Sequence, residues 1–293
     1  MIAQLIVSGL LAGAVYALLS VGLTLVFGVM RVINFAHGDL VMLSVYVAVW
    51  LSTAAHINPY LGLLIIIPGF FLLGTVLYGA VLQPVMRRSR SHTNQVVVTF
   101  GISLVIINAI SLAAGSQGRE VNIGLSTAAW HALGVIIGIP QFIAFCGSVA
   151  GLALIYSMLR FTYLGRAIRA TAQDRQAASL VGVSTTRVNL VSFGLSVAAA
   201  GVTGALLAPI LIVNPQVGGT YTLLAYVVVV LGGLGSVGGA IVGGLLVGLV
   251  QSFTGYYLDP QLEQVGYLVV FLIVLILRPS GLMGVRGYET LEE

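Results

Sequence analysis

Long apolar stretches alternate with short polar ones along the whole chain. They run from Ile2 to Val29, Leu40 to Ala55, Tyr60 to Leu82, Val96 to Ala114, Pro140 to Leu159, Val188 to Val213, Tyr221 to Phe253 with a break, and Leu262 to Leu277. At about 1.5 Å per helical residue, such runs match a hydrocarbon core of roughly 30 Å. Backbone crossing lipid must satisfy its own hydrogen bonds, and the strict alternation of a lipid-facing barrel strand is missing, so helix is predicted. The expected fold is all-α: a polytopic integral membrane bundle of about eight spans, some of them interrupted or re-entrant. Residues 1–293 then form a single transmembrane domain.

Two places break the pattern. The Tyr221 to Phe253 block is interrupted by Leu231-Gly232-Gly233-Leu234-Gly235-Ser236-Val237-Gly238-Gly239. Arg187 and Arg278 are expected on one side of the membrane with three apolar blocks between them, so one block must enter and return. That predicts two short arms meeting at a glycine turn. Irregular backbone at membrane depth is tolerated only inside protein or beside a wet cavity, which assigns Gly232, Gly233, Gly235, Ser236, Gly238 and Gly239 to a path.

Near the other end, Ile2 to Val29 is long for one span, about 42 Å as helix, and leads into Met30-Arg31-Val32-Ile33-Asn34-Phe35-Ala36-His37-Gly38-Asp39. Asn34, Gly38 and Asp39 supply the polar side chains and backbone freedom that start a helix at Leu40. One reading is a solvated turn beside Arg31 at the inner surface. The other puts the turn inside the bundle, where an ionisable residue is costly unless it meets water or a partner. In that case Asp39 positions the helix start, and Asn34, His37, Gly38 and Asp39 belong to the path and receive a substrate's charged ends. Two interrupted helices suggest two related halves, although no residue-by-residue repeat is visible.

Composition narrows the class. Hydrophobic residues make up 59% and charged residues 7%, and the mean hydropathy is +1.09, which leaves no polar surface for a soluble domain. All twelve basic residues are arginine, so a Gly-Lys-Ser/Thr phosphate loop is absent and ATP energy must come from a partner. Arg87, Arg88 and Arg90 mark one cytoplasmic loop, residues 160–187 a second, and Arg278 with Arg286 place the carboxyl end inside. The opposite loops carry Arg119 with Glu120, then Asp259 and Glu263. This topological bias accounts for the basic residues without a nucleic-acid partner.

Cys146 lies in an apolar run and reads as a small packing residue. His37, His56, His92 and His131 are too scattered for a metal pair. Met1-Ile2-Ala3-Gln4 lacks the basic region of a cleaved secretion signal, so the first apolar run is expected to persist. Gly233-x-Gly235-x-x-Gly238 mimics a dinucleotide fingerprint but would need a soluble parallel sheet. Gly239-x-x-x-Gly243 and Gly244-x-x-x-Gly248 instead fit close helix packing.

The polar interval from Arg160 to Arg187 holds Arg166, Arg169 and Arg175 against one acid, Asp174. Ala170, Ala172, Ala177 and Ala178 favour helix with little bulk, so a short helix here can seat in a partner's groove, with Asp174 and Arg175 adding polar contacts. Gly182 lets the chain turn away afterwards. Bulk at Ala178 is expected to abolish docking.

Gln176-Ala177-Ala178-x-x-x-Gly182 resembles the Glu-Ala-Ala-x-x-x-Gly signature of ABC importer permeases, with glutamine replacing the acid. Three further blocks extend the likeness over essentially the whole chain: Gly22-Leu23-Thr24-Leu25-Val26-Phe27-Gly28 leading to Asn34-Phe35-Ala36-His37-Gly38-Asp39, the glycine run, and Leu277-Arg278-Pro279-Ser280-Gly281-Leu282. Together they resemble the permeases of Liv-type branched-chain amino acid importers. The resemblance implies a multi-pass subunit of the bacterial inner membrane that moves branched-chain or related neutral amino acids. It implies a second homologous permease, two cytoplasmic ATPases that dock on Asp174, Arg175, Gln176, Ala177, Ala178 and Gly182 and use ATP and Mg, and a periplasmic or extracellular binding protein. This chain is expected to bind no cofactor and to catalyse no covalent step. Alternatives are the same machine carrying urea or short amides, and an ATP-independent transporter or channel for which Asp39 is the sole acidic candidate.

Overall fold

The computed structural model describes residues 1–88, 92–115, 129–132, 134–211 and 214–284; Arg90, Arg119, Glu120 and Arg286, used above for orientation, lie outside the described residues. Helix α1 (Ile2–Met30) runs the length of the bundle and ends at Arg31. After an irregular stretch the chain forms α2 (His37–Ala54), then α3 (Pro59–Leu77). A π-helical turn at Tyr78–Leu82 and α4 (Gln83–Arg88) extend α3 into one continuous helix. Helices α5 (His92–Ala114) and α6 (Ile139–Phe161) follow, then the short α7 (Tyr163–Gln173) and α8 (Arg175–Leu180). The last part comprises α9 (Thr185–Leu207), α10 (Val217–Gly232), α11 (Val237–Tyr257) and α12 (Glu263–Leu277). Eight of these helices are long and apolar enough to cross a bilayer, so the chain is a multi-pass membrane protein.

The arginines gather at one end of the bundle. Arg31, Arg87 and Arg175 line one cavity there, and Arg160 and Arg169 line another with Gly28 and Val29. At the opposite end is a departure from the all-helical expectation: Ala129–Ala132 pairs antiparallel with Val135–Gly138. Gln4 fastens this hairpin to α1, its amide nitrogen donating to the Ile136 carbonyl at 2.8 Å and its oxygen accepting from the Ile136 N–H at 2.8 Å.

Helix packing follows small residues. Gly9 and Gly13 of α1 lie against Leu249 and Leu245 of α11, and Gly244 and Gly248 lie against Ala17 and Gly13, which accounts for the second glycine repeat. On the other side Gly74 of α3 meets Gly194 and Val197 of α9, while Gly201 meets Phe70. These two crossings correspond: α1 packs on α11 as α9 packs on α3. Helices α6, α7 and α8 lie in the chain between these two sets, α1–α2–α3–α5 and α9–α10–α11–α12.

The second interruption is not where the sequence predicts it. The glycine turn between α10 and α11 lies at the arginine-bearing end, with Gly235 against Gly28 and Gly233 against Met283 and Gly284. The break at depth instead precedes α10, where the chain leaves α9 at Ala208 and re-enters helix at Val217. At 16 residues, or about 24 Å, α10 is shorter than the eight spanning helices and runs from inside the bundle to the arginine end. Cys146 also differs from expectation, since it is exposed on α6 and packs no core.

Candidate functional site

The irregular segment after α1 turns back into the bundle. His37, at the start of α2, places Nε2 2.9 Å from the carbonyl of Leu19. Leu19 lies eleven residues before the end of α1, about 16 Å from the arginine end and so near the middle of a roughly 30 Å core. Asn34 (1% exposed), His37 (0%) and Asp39 (2%) are buried, which excludes the solvated surface turn.

At the same depth α10 begins, and α2 and α10 meet by their N-termini. Gly218 lies against Asp39, and Gly38 lies against the Gly218 carbonyl and Thr222. A side chain at either glycine would overlap these atoms, so the crossing requires both. Each helix start presents unsatisfied N–H groups and the positive end of its dipole, and the carboxyl of Asp39 sits between them. Ser103 of α5 hydrogen-bonds that carboxyl.

Two threonines hold the irregular strand. The Thr222 hydroxyl accepts from the Gly38 N–H at 3.0 Å and lies 3.2 Å from the Phe35 carbonyl. Thr99 accepts from the Phe35 N–H at 3.3 Å and lies 3.1 Å from the Ile33 carbonyl. Asn34 Oδ1 accepts from the Ala36 N–H at 3.1 Å, closing a local turn. Sequence reasoning missed Thr99, Gly218 and Thr222. The available signal was Asn214-Pro215 followed by Gly218-Gly219-Thr220, a turn and helix start ahead of an apolar run.

Several polar atoms here have no hydrogen-bond partner: Asn34 Nδ2, His37 Nδ1, Asp39 Oδ1, Ser20 Oγ and Ser196 Oγ. A carbonyl only accepts, so neutral His37 carries its proton on Nε2 and leaves Nδ1 as an acceptor. These buried atoms include both donors and acceptors. Beside it the surface opens: Phe35 is 39% exposed and packs its ring at a tilt of 41° against Tyr226, centroids 5.6 Å apart, Leu223 is 39% exposed, and a side chain at Gly219 would meet open space.

The structure does not bring the glycine-run residues to this place. Gly232, Gly233, Gly235, Ser236, Gly238 and Gly239 form the α10–α11 turn roughly 21 Å away along α10, at the level of Gly28. There the Ser236 hydroxyl caps α11 by accepting from the Gly239 N–H at 3.0 Å.

The arginine-bearing polar interval forms two helices with a corner at Asp174. Asp174 is the N-cap of α8, its Oδ1 accepting from the Gln176 and Ala177 N–H groups at 2.8 and 2.9 Å. Gly182, with φ +85°, turns the chain away after α8. Arg175, Gln176 and Ala177 are exposed, but Ala178 is 3% exposed and seats α8 on its own chain. The apolar surface presented outward is Leu180 (87%) and Val181 (80%), neither of which sequence reasoning selected.

A cavity of about 540 Å³ connects α8 to the irregular segment, lined by Arg175, Gln176 and Ser179 on one side and Met30, Arg31 and Tyr78 on the other. With its amide oxygen turned toward them, Asn189 of α9 accepts from the Tyr78 hydroxyl at 3.0 Å and from Arg175 at 3.2 Å. Tyr78 belongs to the π-helical turn, so one amide joins α8, α9 and the α3 irregularity.

Over residues 5–277 the chain matches the family described as branched-chain amino acid transport system / permease component. It is 31% identical to the high-affinity branched-chain amino acid transport system permease protein LivH of Escherichia coli strain K12, covering 96% of this chain and 95% of that protein. Identity to the corresponding permease BraD of Pseudomonas aeruginosa is 30%, with 96% and 95% covered. A permease named LivM from Salmonella typhimurium is 26% identical over 92% of this chain and 68% of its own length. No solved structure matches the chain.

Proposed function

Because the chain belongs to the family of permease components of branched-chain amino acid transport systems, we propose that it forms one half of the translocation pathway of an ATP-driven importer of branched-chain or similar neutral amino acids. The observation that carries this reading is the meeting of the N-termini of α2 and α10 at mid-depth, beside the exposed Phe35 of the irregular segment and the open space at Gly219 in the first turn of α10. The first-turn N–H groups of α10 have no intrahelical partner and cannot face lipid, so that face borders water shared with a second, similar permease. Phe35 and Leu223 suit a branched aliphatic side chain, and the buried polar atoms beside them suit a zwitterion.

All of residues 1–293 then serve as a single permease domain in the bacterial inner membrane, with the arginine-bearing end in the cytoplasm. Two ATPase subunits dock on α8 through Arg175, Gln176, Ala177, Leu180 and Val181, while Asp174, Ala178 and Gly182 hold the helix in shape. They bind the ATP and Mg; this chain binds no cofactor and carries no catalytic residue. Movement of α8 reaches the irregular segment through Arg175, Asn189 and the shared cavity, switching access at the crossing of α2 and α10. An external binding protein docks at the hairpin end and delivers the substrate.

The test is leucine uptake into proteoliposomes holding the complete complex, with urea as the competing cargo. ATP-dependent leucine uptake that stops with hydrolysis-deficient ATPases is expected. Uptake that persists without hydrolysis sinks the importer reading, and urea transport without leucine transport sinks the cargo.

A further inference from the structure

A cavity of about 320 Å³ lies at the arginine-bearing end between α1, α6, α7 and the start of α11. Its walls are largely apolar, built from Leu25, Val29, Leu159, Ile168 and Val237. Among the described residues the charged ones that line it are Arg160 and Arg169, with no acidic side chain beside them. Arg160 donates to the Tyr156 hydroxyl at 2.9 Å, and its guanidinium stands 5.7 Å from the centre of the Phe161 ring. The group is thereby oriented by aromatic and hydroxyl contacts, with no carboxylate among the described lining residues.

We propose that this cavity is a binding site for one anionic phospholipid, whose phosphate sits between Arg160 and Arg169 and whose proximal acyl chain follows Leu25, Val29 and Leu159. Three features favour a lipid over a soluble anion. The wall is apolar, which free phosphate does not use. The volume is at the lower end of ligand pockets, roughly 300–1000 Å³, so it takes the headgroup region while the tails remain in the bilayer. The α6 side carries the exposed Tyr156 and Phe161, an aromatic pair suited to the membrane interface where anionic headgroups lie. Because α7 forms one wall through Ile168, Arg169 and Ala172, an occupied cavity braces α7 against α1 and α6. Only a membrane crossing by α6 is assumed; neither the cargo nor the ATPases enter, so the uptake test and this one fail independently.

The experiment is native mass spectrometry of the full-length chain purified with its natural partners, titrated with phosphatidylglycerol or with phosphatidylcholine of matched chains. Wild type is expected to retain phosphatidylglycerol about tenfold or more over phosphatidylcholine. Arg160→Gln with Arg169→Gln is expected to remove the preference, and Arg166→Gln with Arg187→Gln, an equal loss of charge at exposed sites outside the cavity, to leave it intact. Equal retention of the two lipids, or retention unchanged in the double variant, overturns the proposal, as does displacement of the lipid by millimolar inorganic phosphate. A photoactivatable phosphatidylglycerol on wild-type protein tests the place without any variant: adducts are expected on Tyr156, Leu159 or Ile168, and adducts confined to α5 and α12 overturn it.

Discussion

Gly218, the second residue of α10, lies against the carboxyl of Asp39, the third residue of α2, so two helices of opposite direction share one acid at their starts. Each helix start carries roughly half a positive charge, and an anion between two of them is held from both sides. Asp39→Asn preserves the shape and removes the charge. The expected cost is up to about 2 kcal/mol of stability, seen as a lower melting temperature of the purified protein, with uptake down about tenfold or more. Wild-type melting and uptake in this variant would show that the carboxyl carries no charge-dependent role.

The crossing also fixes the size of its residues. Gly218→Ala and Gly38→Ala each drive a methyl into neighbouring backbone or the Asp39 carboxyl, and overpacking of this kind costs about 1–3 kcal/mol. Gly219→Ala, one position along, enters open space and is expected to keep both stability and uptake. Melting curves for the three variants check the contrast; equal behaviour of Gly218→Ala and Gly219→Ala removes the claim of a tight crossing.

What the sequence made legible follows the cost of lipid exposure. Continuous apolar runs revealed the spans, because few other patterns can cross a bilayer, and the arginines that break them gather at one end of the bundle. The Asn34 to Asp39 break was legible because polar residues interrupt an apolar stretch. The partner break before α10 was not, since Asn214-Pro215 reads equally as a surface loop, and only the contact of Gly218 with Asp39 places it at depth. The glycine run was assigned to the wrong depth because its composition suits both a surface turn and a pathway; Gly28, Met283 and Gly284 decide between them. Ala178 shows the same ambiguity, as a small residue can seat a helix on its own chain or on a partner.

That ambiguity separates two variants of α8. Leu180→Asp with Val181→Asp alters exposed side chains, so melting is expected to stay within about 0.5 kcal/mol of wild type while ATP-driven uptake is lost. Ala178→Trp instead pushes bulk into a buried position and is expected to lower both stability and uptake. Co-purification of the ATPases measures docking directly. Full ATPase recovery with the Leu180 and Val181 double variant shows that docking lies elsewhere.

The irregular strand depends on hydroxyls rather than on regular secondary structure. Thr222→Val keeps the side chain's volume but strands the Gly38 N–H and withdraws a neighbour from the Phe35 carbonyl. A buried polar group left without its partner costs about 1–3 kcal/mol, and here the loss falls where α2 starts. Uptake and melting temperature are both expected to drop. Thr222→Ser restores the hydroxyl while deleting only a methyl, so it is expected to recover most of both. Should Thr222→Ser be as impaired as Thr222→Val, packing of the methyl governs the position and the hydroxyl does not hold the strand.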